Sequence, residues 1–143
     1  MMTMTPIAPH DIPHEWAEIG PWIVKASSTD KNADLRLIVD RLMNGQLGAY
    51  RASGQADGVL TAAIHARTDG GTEFWIEHLG GEIFGGPKQR AAIIVSAVAQ
   101  FERIAREAGC MEICLAGRLA WARILTDFTL TEEDGIPVLR KAL

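Results

Sequence analysis

The chain has 143 residues, 48% of them hydrophobic and 22% charged, the balance of one globular domain rather than of a disordered segment. Fourteen Lys and Arg stand against 18 Asp and Glu, a formal net charge of −4, which argues against a general DNA or RNA binder because such binding rests on clustered positive charge. The longest apolar run, Ala91–Val95, falls well short of the roughly 18 residues that span a bilayer. The opening MMTMTPIAPHDIPHE has neither the basic region nor the apolar run of a secretory signal. A soluble, cytoplasmic protein with no membrane partner is the expectation.

The first forty-odd positions have the spacing of interrupted helices. Ile12–Ile19 reads as a short helix with Pro13 near its start, where a missing N–H costs nothing, and Gly20-Pro21 breaks it. Pro21 opens a second turn carrying Trp22, Ile23 and Val24, and Ser27, Ser28, Thr29 and Asp30 are N-cap candidates for the next helix. In that helix Leu35, Ile38, Val39 and Leu42 recur at helical spacing until Asn44-Gly45 ends it. The period then changes to two. Leu47–Ala52, Val59–His65 and Thr72–Leu79 are runs of strand length separated by the turn-rich SGQADG and ARTDGG, an antiparallel meander.

A loop, GGEIFGG, leads into the strongest helix, Pro87–Ala108, where Ile94, Val98, Phe101, Ala105 and Ala108 share one face and Gly109 is the stop. Met111–Ala116 is nearly all apolar, as a buried parallel strand would be, so strand, helix and strand make a right-handed crossover. Cys110 and Cys114 read as buried reduced thiols. A helix over Arg118–Asp127 and a terminal hairpin of Phe128–Thr131 and Ile136–Arg140 complete the order, with Pro137 placing the last strand at an edge. The fold class is α/β: a mixed sheet of antiparallel meander plus parallel crossover, with helices on both faces.

In open sheets with crossovers, ligands bind beyond the carboxyl ends of parallel strands, where the next helix begins. Here that place is the loop after Leu79. Gly80, Gly81, Gly85 and Gly86 permit close backbone approach, the helix N-terminus presents unpaired N–H groups, and Lys88 and Arg90 add charge, a construction suited to phosphate or pyrophosphate. It is not a P-loop, because Pro87 sits where the lysine belongs and no hydroxyl residue follows. Nor does the order of elements fit a dinucleotide fingerprint.

The element order, this loop and the segment AGCMEICLAGRLAWARILTDFTL together resemble the Gcn5-related N-acetyltransferase (GNAT) family over nearly the whole chain. The resemblance implies one GNAT-like domain over residues 1–143, acetyl-CoA or another acyl-CoA as cosubstrate, and transfer to a small-molecule or protein amine by direct attack. It implies that Ile76–Leu79 is the strand along which the pantetheine arm pairs, with Ile76, His78 and Leu79 in contact. Gly85, Gly86, Lys88, Gln89 and Arg90 would form the pyrophosphate site, beside two parallel strands that splay apart. The phrase GRLAWARIL is similar to a variant in GNAT-like phage proteins, including small virion-associated ones. It carries an alternative, a non-catalytic scaffold with phage or self-assembly partners.

The chain departs from the family pattern at two places. The loop motif Arg/Gln-x-x-Gly-x-Gly/Ala aligns with Pro87–Ala92, where only the closing small residue is kept. The tyrosine that usually protonates the departing thiolate falls near Leu125, and no tyrosine follows Tyr50.

Direct attack needs the amine to lose a proton, and a strand carboxylate near the splay is a suitable base. Glu77 is the candidate, with burial expected to raise its pKa toward the working range. Period two puts Trp75, Glu77 and Leu79 on one face and Phe74, Ile76 and His78 on the other, so Glu77 and His78 are not expected to act together. His65 and His78 read first as packed or hydrogen-bonded histidines. His10 and His14 have i,i+4 spacing, but Pro13 lies between them and no further ligands cluster nearby, so no metal is expected. The resemblance implies that Trp16 and Trp22 line an acceptor cleft, while by residue type they are core or interface anchors, and Trp121 packs its helix on the sheet.

Overall fold

The structure is a computed structural model and describes residues 2–28, 30–116 and 119–143. The order is β1 (Thr3–Ile7), α1 (Ile12–Ser27), α2 (Leu35–Asn44), β2 (Gly48–Ser53), β3 (Ala56–Ala66), β4 (Thr72–Ile83), α3 (Pro87–Glu107), β5 (Glu112–Ala116), β6 (Thr129–Glu133) and β7 (Ile136–Ala142). The strands form one seven-stranded sheet in the order β1-β2-β3-β4-β5-β7-β6, with β4 and β5 parallel and every other pair antiparallel.

Alternation along the strands divides the apolar residues between two cores. On one face α3 lays Ile94, Val98, Phe101 and Ala105 over Leu60, Phe74, Ile76, Ile113 and Leu139. Phe101 is fully buried, with Tyr50 edge-on at 5.2 Å and Phe74 at 5.6 Å between ring centroids. A ring so enclosed contributes about 1.5–3 kcal/mol from burial. On the other face Ile12, Ile19 and Ile23 of α1 and Ile38 and Leu42 of α2 pack on Ala49, Val59 and Ala63. Trp16 and Trp22 pack against this second core, and Trp121 against the first.

Several elements differ from the sequence reading. Thr3–Ile7, within the stretch read as helical, is an edge strand antiparallel to β2. Helix α1 runs unbroken through Gly20-Pro21 to Ser27. The stripe of Ile12, Ile19 and Ile23 offsets the roughly 3 kcal/mol that an interior proline costs. Trp16 fills the space over Gly20, where an added Cβ would lie 2.7 Å from its ring. The N-cap of α2 is Asp34, whose Oδ1 accepts from the N–H groups of Arg36 (3.0 Å) and Leu37 (3.4 Å). The earlier hydroxyls at 27 and 28 bond back to α1 instead, and Thr29 lies outside the described residues.

Past Ala116, Leu119–Arg123 is a short 3-10 turn, while Gly117 and Arg118, where a longer helix was expected to begin, lie outside the described residues. The last strand is not at an edge. β7 lies between β5 and β6, and Pro137 is tolerated because pairing with β5 begins only at Val138, opposite Ala116.

Candidate functional site

Strand β4 changes partners along its length. From Glu73 to Ile76 it pairs with β3 on one edge and with β5, from Glu112 to Leu115, on the other. Beyond Ile76 the β3 pairing continues to Ile83, opposite Ala56, but the β5 pairing stops. Residues 77–83 therefore have one edge with no strand partner among the described residues. Such an edge offers backbone N–H and C=O groups to an extended ligand carrying amides of its own.

The free edge leads to the N-terminus of α3. The Phe84 N–H donates to the Gln55 carbonyl (2.9 Å), and the chain then turns through Gly85, whose φ of +99° favours glycine. A Cβ at Gly85 would lie 2.2 Å from Gln89 Oε1, whereas nothing lies within 4 Å of where one would stand at Gly86. Gly86 is the extended N-cap residue, its N–H donating to Gln89 Oε1 (3.1 Å), and Pro87 has no N–H to give. The amides of Lys88 and Gln89 are in the first turn and have no helical acceptor. With the exposed Lys88 and Arg90 they form a cationic, donor-rich cradle that fits a diphosphate. Between this point and the strands a cavity of about 450 Å³ is lined by Ile76, Leu79, Ile83, Arg90, Ile94 and Trp121.

Gly80 and Gly81 are not part of that cradle, contrary to the loop reading, because β4 runs on to Ile83. A Cβ on Gly80 would stand 2.6 Å from the Trp22 carbonyl oxygen, and one on Gly81 2.2 Å from that of Asp57. These two glycines let α1 and β3 approach β4.

A bulge reorganises the centre of the site. Ala62 pairs with Ile76 and Thr61 with His78, so Glu77 is the extra residue on β4. Strict alternation fails there, and Glu77 and His78, expected on opposite faces, both lie on the α1/α2 side. Glu77 takes a bidentate pair from Arg41 at the end of α2, Nη1 to Oε1 at 2.9 Å and Nη2 to Oε2 at 2.7 Å. His65 Nε2 lies 3.3 Å from Glu77 Oε2. His78 Nδ1 lies 2.6 Å from the hydroxyl of Thr61, which is fully buried. After the bulge Leu79 joins Phe74 and Ile76 on the α3 side.

The electrostatics correct a second expectation. Burial does push the Glu77 carboxyl upward, but hydrogen bonds and charge from Arg41, with His65 adding to them, outweigh it and hold the group below the ordinary carboxylate value. Glu77 is a firmly ionised carboxylate rather than a base poised near neutrality. Burial lowers the His78 imidazole, aided by Arg41 and opposed by Glu77 and Asp30, so it stays neutral to lower pH than a free histidine. Arg41 and Thr61 were not foreseen. Arg41 is 36 residues from Glu77 in sequence, and nothing in the local pattern announces a bulge.

Leu125, the position read for the missing tyrosine, is buried in the α3-side core, and Tyr50 packs on Phe101 with its hydroxyl pushed upward by burial. His10 and His14 are both exposed. Beside the splay, Glu73, Glu112 and Cys114 bring their donor atoms within 4.8 Å of one another. Arg140 occupies their midst, ion-paired with Glu73, with Glu112 at 3.0 Å and with Glu133 at 2.7 Å, so a guanidinium stands where a metal cation would. Burial pushes the Cys114 thiol up to about 12, which leaves it inert as a nucleophile at neutral pH.

The mixed seven-stranded sheet with one parallel pair and flanking helices matches the fold of solved acetyltransferases of the GNAT family. A predicted acetyltransferase from Clostridium acetobutylicum, crystallised with acetyl-CoA, superposes with a TM-score of 0.59 at 18% identity, covering 94% of this chain and 92% of that one. An aminoglycoside 6'-acetyltransferase type Ii gives 0.66 at 11% identity, covering 98% and 96%. An N-acyl amino acid synthase from uncultured soil microbes gives 0.64 at 9% identity, covering 100% and 90%. No family model matches the sequence, and no curated protein matches it. At such identities the likeness is one of fold, and the chain has the mixed α/β fold of these enzymes. No described helix is long and apolar enough to cross a membrane.

Proposed function

We propose that this protein is an acyl-CoA-dependent N-acyltransferase that moves an acetyl group to an amine by direct attack. The observation that carries the reading is the β4 edge freed beyond Ile76, running without interruption to the glycine-lined N-terminus of α3. That continuity matches a ligand with an amide-bearing arm at one end and a diphosphate at the other. Ile76, His78 and Leu79 border the arm, while Gly85, Gly86, Lys88, Gln89 and Arg90 hold the diphosphate through backbone amides and positive charge. The similar Clostridium protein was crystallised with acetyl-CoA, which supports the same class of cosubstrate here.

Glu77 faces the side from which an acceptor would approach, between α2 and the strands. As an ionised carboxylate it attracts the acceptor's ammonium and orients a water that takes the proton released before attack. Calorimetric titration with acetyl-CoA tests the reading. Binding that weakens when Lys88 and Arg90 are replaced by alanine is the expected result, and no heat at millimolar acetyl-CoA would overturn it.

A further inference from the structure

The functional reading leaves His78 with only a place beside the pantetheine arm. Its surroundings specify more. Thr61 is fully buried, and its hydroxyl has one hydrogen-bond partner among the described residues, His78 Nδ1 at 2.6 Å. A hydroxyl that can neither reach water nor find another acceptor gives up its hydrogen to the one acceptor at hand, since a buried donor left unpaired loses its hydration with nothing in return. Thr61 therefore donates to Nδ1, which must carry the lone pair, and the ring proton sits on Nε2. Nε2 has no protein partner among the described residues.

The bulge gives this donor its address. His78 is the first regularly paired residue after β5 has left β4, and with Glu77 it lies on the α1/α2 side, where an acceptor amine would enter. The charged and titratable groups that face it are Glu77 of the same strand, Arg41 of α2 and Asp30 of the α1–α2 connection. Burial outweighs the two carboxylates and keeps the ring neutral, so Nε2–H is a fixed dipole rather than a migrating proton.

We infer that His78, locked by Thr61 as the Nε2–H tautomer, donates a hydrogen bond to the acyl carbonyl oxygen in the splay, acting as a neutral electrophilic donor rather than as the base. The inference rests on the acyltransferase reading and deepens it. As the amine nitrogen forms its bond to the carbonyl carbon, the C=O π pair moves to oxygen and the Nε2–H bond to that oxygen strengthens. When the C–O double bond re-forms, the C–S pair leaves on sulfur. The ammonium's first proton goes to the water that Glu77 orients before attack, and the second ends on sulfur as the thiol. His78 keeps its own proton throughout, and Thr61 is a positioning residue.

Nitrogen-15 NMR of the imidazoles tests this without an identified acceptor, with His78→Gln assigning the signal. The expected result is an Nε2–H tautomer for His78 across pH 6–8, loss of that tautomer's dominance in the near-isosteric Thr61→Val, and a change at Nε2 on adding acetyl-CoA that free CoA does not produce. An Nδ1–H or charged ring overturns the inference. So does an unmoved His78 when the amides of Gly85 and Gly86 shift with acetyl-CoA, an outcome that leaves the acyl-CoA reading standing. If millimolar acetyl-CoA moves neither, the acyl-CoA reading falls and the inference falls with it.

Discussion

Glu73 and Glu77 lie on the same strand, and each is a carboxylate held below its ordinary value by an arginine, yet the two belong to different kinds of structure. Glu73 is flanked on both edges, opposite His65 of β3 and Glu112 of β5, and its arginine comes from β7. Arg140 binds Glu73, Glu112 and Glu133 at once and so ties β4, β5, β7 and β6 together where no helix supplies the pairing. Glu77 stands at the bulge with a partner strand on one side only, and its arginine comes from a helix. The same chemistry closes the sheet in one half of β4 and leaves a charged, addressable group at an opening in the other.

The sharpest way to break the comparison is to remove the two arginines separately. Arg140→Ala leaves Glu73 and Glu133 without their arginine, while Glu112 keeps Arg67, and should cost about 2–3 kcal/mol in urea unfolding while leaving acetyl-CoA affinity unchanged. Arg41→Ala removes the arginine of one carboxylate rather than of three and should cost less, about 1 kcal/mol, and equal losses from the two would erase the distinction. Gly80→Ala probes the opening's framework instead. Its Cβ must displace the Trp22 backbone, so a loss of about 1–2 kcal/mol is expected, seen as a lowered thermal midpoint.

Charge removal at the helix N-terminus should act on binding alone. Lys88→Ala and Arg90→Ala are each expected to weaken acetyl-CoA about tenfold, equivalent to ~1.4 kcal/mol, in calorimetry. Unfolding should shift by less than about 0.5 kcal/mol. The smallest effect is in pH. Because the folded Glu77 carboxyl lies below its ordinary value of 4.5, its contribution to stability is complete above that pH and is lost as the pH falls through the folded value. The stability gap between wild type and Glu77→Gln should therefore narrow from pH 7 to pH 3. A gap that widens on acidification would show that Arg41 does not govern this carboxyl.

What could be read from residues alone was whatever local rules control. Helix α3 from Pro87, its apolar stripe through Phe101, the Gly45 stop, the meander and the apolar β5 follow from caps, turns and periodicity, which act over a few positions. The glycine turn at Gly85 and Gly86 was legible for the same reason. Helix α1 was misread because local signals overstate Pro21 when three buried isoleucines across it favour continuity. β1 was missed because an edge strand is stabilised by its partner more than by its own residues.

Tertiary structure alone decided the chemistry of the centre. A single extra residue at Glu77 shifts every side chain that follows, since strand alternation has a period of two, and so turns His78 to the same side as Glu77. The charge state of Glu77 depends on Arg41, which helix packing delivers from another part of the chain, and the tautomer inferred for His78 depends on the burial of Thr61. Composition and spacing could name the residues of an opening in the sheet. Only long-range packing could set their directions, protonation and partners.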